Sequence, residues 1–250
     1  MSTSPLAIIL AAGKGKRMAS DLPKVLVPVC GRPMIRYVID AVRSAGVERI
    51  VVIVGFRAEL VRSELAGEPG VEFVEQKQQL GTGHAVMMCG EQIAKHDGLV
   101  LILAGDSPMV QGATVRNLLG EFAKRPPACL LGTATESRTR GMGRIVRDSA
   151  GEFAAIVEEK DATPTQREIT EVNMSYYVFS PADLLSALEL LTADNAQGEY
   201  YLTDCPGVLK AAGKCVLALP VLQPCETLSI NTPDELAIVE AEMRRMRNDE

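Results

Sequence analysis

The chain has 250 residues, 47% of them hydrophobic and 23% charged, which is enough to bury one good core and suits a single α/β domain with excursions. A formal net charge of −6 argues against nucleic acid as the main partner, and no run approaches the roughly 18 apolar residues of a membrane span. The six cysteines form no C-x-x-C pair and there are only two histidines, which argues against a zinc site and for reduced thiols, several of them in the core.

In chain order, the first element is the apolar run Leu6 to Leu10, read as a buried strand. It is too short, and lacks the basic lead-in, for a signal peptide, so a cytoplasmic location is expected. The run passes straight into Ala11-Ala12-Gly13-Lys14-Gly15-Lys16-Arg17-Met18. Small residues there let the backbone approach a ligand with its N–H groups free for phosphate oxygens, and Lys14, Lys16, Arg17 and the nearby Lys24 add positive charge. A P-loop needs a longer spacing and a hydroxyl after its lysine, and a dinucleotide fingerprint needs a glycine where Met18 stands, so kinase and dehydrogenase chemistry are disfavoured. The plainer alternative is a glycine-rich turn with no ligand.

Pro33 to Ala45 reads as a helix, with proline near its start, Ile35, Val38, Ile39 and Val42 at helical spacing, and Gly46 at its end. Arg49 to Gly55 is a second strand, Ala58 to Leu65 a helix, Val71 to Glu75 a third strand, and Gly83 to Lys95 another helix. Leu99 to Ala104 is a fourth, fully buried strand that stops at Gly105-Asp106-Ser107-Pro108. Thr114 to Lys124 is helical, Ala128 to Thr135 a strand, and Gly143 to Val157 a β-hairpin turning near Asp148 to Gly151. Val172 to Ser180 is apolar and β-rich, Pro181 to Leu191 helical, and Lys214 to Val221 a strand. Thr232 caps a last helix from Pro233 to about Arg247, and the charges from Glu240 to Glu250 read as a solvated helix face and tail. The alternation predicts a mostly parallel sheet covered on both faces, with ligands at the carboxyl ends of its strands.

Asp106 would sit at such a strand end beside the basic loop, where a carboxylate suits a magnesium ion shared with substrate phosphates; the alternative is an Asp that caps the turn before Pro108. The segment from Glu75 to Ala85 carries three glutamines and two glycines, which suits reading the edge of a nucleobase, or is a polar helix entry capped by Thr82. His84 reads as an oriented, partly buried histidine. Gly141 to Arg144, Glu158 to Lys160, Asn173 and Gly198 to Tyr201 are polar points among apolar strands that suit a polyhydroxylated ligand, or are solvated turns.

Together these motifs resemble the sugar nucleotidyltransferases, in particular the uridyltransferase half of the N-acetylglucosamine-1-phosphate uridyltransferases. The resemblance covers nearly the whole chain, and Gln79-Leu80-Gly81-Thr82-Gly83-His84-Ala85 and Ala196-Gln197-Gly198-Glu199-Tyr200-Tyr201 are its selective parts. It implies a Rossmann-like, mixed but mostly parallel sheet flanked by helices, with a small β-rich sugar-binding excursion. The division it implies is a nucleotide-binding part to about residue 110, a sugar-binding part over about 111–231 and a C-terminal helix over 232–250, with no hexapeptide-repeat acetyltransferase domain.

The implied reaction joins UTP and N-acetylglucosamine 1-phosphate, with Mg²⁺, into UDP-N-acetylglucosamine and pyrophosphate. By position, Leu10, Ala11, Ala12 and Gly13 would hold the nucleotide, Gln76, Gly81 and Thr82 would read uracil, and Arg17 and Lys24 would bind phosphates. Asp106 and Asn231 would share the metal, and Gly143, Glu158 and Asn173 would bind the sugar. The expected partners are these small molecules, with neither nucleic acid nor membrane, and no oligomeric state is implied. Three departures bear on the sugar: Asn173-Met174-Ser175 replaces the family's Asn-Thr-Gly, Ala104 replaces an aromatic residue, and Ser229-Ile230-Asn231 replaces Gly-Val-Asn. Another sugar 1-phosphate or nucleotide, or a non-catalytic sugar-nucleotide binding protein, are the alternatives.

Overall fold

The computed structural model describes residues 4–18, 20–137 and 139–248, with Lys16 described in its backbone only. The side chain of Lys16 and the last two residues of the expected tail therefore lie outside the described residues. The chain begins with β1 (Leu6–Ala11), the short hairpin β2 (Pro28–Val29) and β3 (Arg32–Pro33), α1 (Met34–Ser44), β4 (Arg49–Val54), α2 (Ala58–Glu64) and β5 (Val71–Glu75). Then come α3 (Thr82–Met87), α4 (Gly90–Ala94), β6 (Val100–Ala104), α5 (Gly112–Lys124) and β7 (Cys129–Thr135). The remainder is β8 (Gly143–Arg147), β9 (Phe153–Val157), α6 (Pro164–Arg167), β10 (Glu171–Phe179), α7 (Pro181–Glu189), α8 (Cys205–Ala211), β11 (Val216–Leu219) and α9 (Pro233–Asn248).

The main sheet runs β11-β7-β10-β6-β1-β4-β5, with the β8–β9 hairpin branching from β10. It is parallel except at β10, which lies antiparallel between β6 and β7. The central strands are apolar at successive positions because both faces are covered. Leu6 and Ile8 of β1 pack into one cluster with α3, α4, α7 and α8, while Ala7, Ile9 and Ala11 pack into the opposite one with α1 and α5. Each such fully buried Leu or Ile contributes roughly 1.5–3 kcal/mol relative to exposure. After β5 the chain crosses to β6 on the other side of β1, so the strand order reverses at β1. The crevice at the ends of β1 and β6 is therefore the switch point at which such sheets bind ligands.

The structure corrects one expected element and adds others. The helix expected from Gly83 to Lys95 is two short ones, broken where Met88 and Cys89 donate tight bonds to Ala85 and Val86. Val86, Cys89 and Ile93, spaced i, i+3 and i+7, still pack into one cluster across the break, and Gly90 opens the second helix. No element is expected between Leu191 and Lys214, where α8 forms with Pro206 in its first helical turn. Cys89, Cys129 and Cys205 are buried free thiols, as expected, and among the described residues no helix is long and apolar enough to cross a membrane.

Two contacts of the last segment bear on the site. Glu226 is buried and accepts hydrogen bonds from Gln111 N (2.9 Å), the Thr114 hydroxyl (2.7 Å), the Tyr176 hydroxyl (2.9 Å) and Gln223 N (2.8 Å). These bonds tie the return from β11 to α5 and β10. Thr232 then caps α9, accepting from Glu235 N at 3.3 Å, while the Glu235 carboxylate accepts from Asn231 N at 2.6 Å. The capping box thus fixes Asn231 at the mouth of the crevice.

Candidate active site

The loop after β1 is held by Phe56 N, which donates to Ala12 O at 3.0 Å. Gly15 has φ +66, and a Cβ there would lie 2.7 Å from Lys24 Cβ, so glycine is what lets Lys24 lie across the loop. The Lys24 ammonium is 2.5 Å from Asp106 Oδ2 and donates to Asn231 Oδ1 at 2.8 Å. Asn231 Nδ2 donates to the Ser229 hydroxyl at 3.3 Å, which keeps the amide oxygen toward the lysine. Three residues far apart in the chain thus meet on one cation.

Two lobes open on either side of this contact. One, of about 380 Å³, is lined by Leu10, Ala12, Gly13, Gln76, Gln79, Gly81, Thr82 and Glu199 among others. The other, of about 210 Å³, contains Gly143, Glu158, Asn173, Tyr177, Thr203 and Asn231. Leu10, Lys24, Thr82, Ala104, Asp106 and Ser175 line both. The structure therefore joins most of the sequence-predicted residues in one cleft.

Other residues differ from expectation. The Ala11 side chain is buried in the core face opposite the cleft, so only its backbone is near a ligand. Arg17 is exposed and lines neither lobe, because the chain turns at Gly15 into a short helical turn anchored by buried Met18. Gln76 is buried, and its Nε2 donates to Gly81 O at 2.9 Å and lies 3.0 Å from His84 Nδ1. With the His84 proton placed on Nε2, both amide hydrogens of Gln76 are used inside the loop and Oε1 is what it offers a ligand. Thr82 is not a helix cap; its hydroxyl oxygen accepts from Leu202 N at 3.0 Å.

That bond is one of several that fasten the glutamine loop to the segment around Tyr200. Tyr200 N donates to Leu80 O and Gly83 N to Tyr200 O, each at 2.8 Å. At Gly81, φ is +109 and a Cβ would meet Tyr200 O at 2.4 Å, so only glycine permits this approach. Sequence reasoning quoted both segments but had no signal that they touch. Arg144, expected among polar points that suit a ligand, is instead buried, donates to Met142 O, and pairs with Glu159 at 2.7 Å, bracing the turn that presents Gly143.

In the smaller lobe, Glu158 accepts from the Thr203 hydroxyl at 2.8 Å. Burial pushes its carboxyl above the ordinary carboxylate range, and the charges of Asp204, Asp161 and Glu199 push the same way. The folded state then binds more protons than the unfolded one between the ordinary carboxylate range and the raised value, so stability falls as pH rises through that window. Glu158→Gln is expected to remove this slope and to raise the melting temperature at neutral pH. Thermal melts of both proteins from about pH 4 to 8 check it, and parallel curves would refute it. Asn173 Nδ2 donates to the Tyr177 hydroxyl at 2.7 Å and its Oδ1 accepts from Ser175 N at 3.2 Å.

The oxygen donors around Lys24 suit a metal ion. Asp106 and Asn231 turn two oxygens toward one cationic centre, and oxygen donors suit a hard divalent ion that completes its shell with phosphates and water. Among the described residues no group of three or more His, Cys, Asp or Glu is placed to hold a metal ion.

A glycine loop and a strand-end carboxylate facing each other across a sheet's switch point define a nucleotide-handling α/β protein. The chain belongs to the family of the MobA-like NTP transferase domain, whose model matches residues 7–204. Bifunctional protein GlmU of Pelotomaculum thermopropionicum is 44% identical over 239 residues, covering 96% of this chain and 52% of that one. The protein of the same name from Streptococcus agalactiae is 44% identical over 241 residues, again 96% and 52%. The chain thus spans about half the length of the curated relatives it matches. A crystal structure of UDP-glucose pyrophosphorylase complexed with UDP-glucose shares the fold, with a TM-score of 0.80, 14% identity, and coverage of 98% and 100%.

Proposed function

We propose that this chain transfers a uridylyl group from UTP to N-acetylglucosamine 1-phosphate, giving UDP-N-acetylglucosamine and pyrophosphate. The observation that carries the reading is the Lys24 ammonium held between Asp106 and Asn231 where the two lobes join. The kinship with GlmU proteins and the resemblance to N-acetylglucosamine-1-phosphate uridyltransferases support the substrate assignment. In this reading residues to about 110 hold the nucleotide, about 111–231 hold the sugar phosphate, and α9 closes the domain. A cytoplasmic location, where nucleoside triphosphates are made, accords with it.

The chemistry needs no general base, because a sugar phosphate oxygen is already an anionic nucleophile. It attacks the α-phosphorus of UTP; the new P–O bond forms as the bond from the α-phosphorus to the bridging oxygen breaks, and that electron pair leaves with pyrophosphate. The two lobes hold the reactants on either side of Lys24, which provides in-line positioning and neutralises charge on the α-phosphate. Asp106 and Asn231 would hold Mg²⁺, which supplies further charge neutralisation when bound. The Oε1 of Gln76 matches the N3–H of uracil, whereas the N3 of cytosine would oppose it with a second acceptor. Glu158 accepts hydrogen bonds from sugar hydroxyls, while Arg17 is left to steer phosphates from outside the cleft.

The test is pyrophosphate release with Mg²⁺, UTP or CTP, and N-acetylglucosamine, N-acetylgalactosamine and glucose 1-phosphates. The expected result is release that requires UTP and prefers N-acetylglucosamine 1-phosphate. Preference for another sugar would move the substrate, and silence across the panel would favour a sugar-nucleotide binding protein.

A further inference from the structure

Strand β10 is interrupted at the cleft. Its pairing with β7 runs from Asn173 opposite Thr133 directly to Tyr176 opposite Gly132, so Met174 and Ser175 form a bulge with no partners in the ladder. Ser175 has φ +61, in the left-handed region that glycine adopts freely and other residues adopt only against Cβ repulsion. Among the described residues two other non-glycine positions share this feature. Cys30 sits in the tight turn between β2 and β3, and Arg57 precedes α2; neither lines the cleft.

Ser175 is different because its place is inside a strand and its side chain faces both lobes. The bulge is closed by Ser175 N donating to Asn173 Oδ1, so a residue of the smaller lobe fixes the conformation. The protein thus keeps a hydroxymethyl group at a backbone position better suited to glycine, beside Lys24 and Asp106. Strain retained at a binding cleft calls for a role in that cleft.

We propose that Ser175 sets acceptor specificity, its hydroxyl donating a hydrogen bond to the sugar phosphate where the lobes join; the proposal rests on the nucleotidyl-transfer reading above. A hydroxyl there meets the sugar phosphate, which must cross the junction to reach the nucleotide, whereas the base and ribose stay in the larger lobe. Loss of the hydroxyl therefore weakens one substrate and not the other. The competing role is purely structural, with the hydroxyl serving only the neighbouring Tyr177.

Two variants separate these roles. Ser175→Gly removes both the hydroxyl and the backbone strain, whereas Ser175→Ala removes the hydroxyl and leaves the strain. Steady-state kinetics and thermal melts are measured on each beside the unaltered protein. Both variants are expected to raise KM for N-acetylglucosamine 1-phosphate about tenfold, in line with one lost hydrogen bond to a charged group, with KM for UTP within about twofold. Only Ser175→Gly is expected to melt above the unaltered protein. An unchanged KM for the sugar phosphate, or equal rises for both substrates, would overturn the role of Ser175 while leaving the transfer reaction standing. An unaltered protein that releases no pyrophosphate with any sugar phosphate would overturn the reading on which the proposal rests, and the proposal with it.

Discussion

Asp106→Ala is expected to lower pyrophosphate release by about a thousandfold or more and to leave the fold intact. Asp106 follows β6 at the open end of the sheet, and its side chain faces the cleft rather than either apolar cluster. Its ion pair with Lys24 is partly exposed, the two side chains retaining 28% and 15% of their accessibility, so the stability lost with it is about 1 kcal/mol or less. A thousandfold loss of rate corresponds to about 4 kcal/mol of transition-state stabilisation, the scale of losing a metal ligand beside a phosphoryl group that gathers charge. The two magnitudes separate the roles. Pyrophosphate release across a Mg²⁺ titration and a thermal melt measure them together. Near-normal turnover would remove Asp106 from the chemistry, and an unfolded variant would make it structural.

Much of this architecture was written in local pattern. The run Leu6 to Leu10, the small residues after it and the helix periodicity of Ile35, Val38, Ile39 and Val42 each report on neighbours a few residues away. Such signals gave the strands of the main sheet and most helices to within a residue or two, but not the short β2–β3 hairpin. The broken segment from Thr82 to Ala94 escaped because Val86, Cys89 and Ile93 keep a helical spacing across it, so the periodicity hid the interruption just before Gly90. The site was legible as a list of residues but not as an arrangement. Lys24 and Asn231 are separated by 207 positions, and nothing local says that the ammonium spans Asn231 and Asp106. Gln76 shows a different limit. Its residue type suggests a base reader, while its amide hydrogens are taken by Gly81 and His84, so half of its hydrogen-bonding capacity serves the loop itself. Ser175 was visible only as a departure from a family pattern; the left-handed backbone that gives the departure physical meaning belongs to the bulge in β10.

Lys24→Met should separate charge neutralisation from metal holding. The lysine contributes one positive charge at the junction, and no other described cationic side chain lines either lobe. Methionine keeps most of the stem that packs over Gly15 and removes the ammonium, so the charge on the α-phosphate goes uncompensated from this side. Turnover is expected to fall by about two to three orders of magnitude with the melting temperature little changed. Metal affinity should move the other way from that in Asp106→Ala. In the free protein the ammonium engages Asp106 and Asn231 together, and its removal leaves both oxygens free for a divalent cation. Calorimetric titration with Mn²⁺ should therefore show binding to Lys24→Met at least as tight as to the unaltered protein, and loss of binding in Asp106→Ala. Equal loss of Mn²⁺ binding in both variants would mean that Lys24 holds the geometry of the site, and the account of its charge acting on the phosphates would fall.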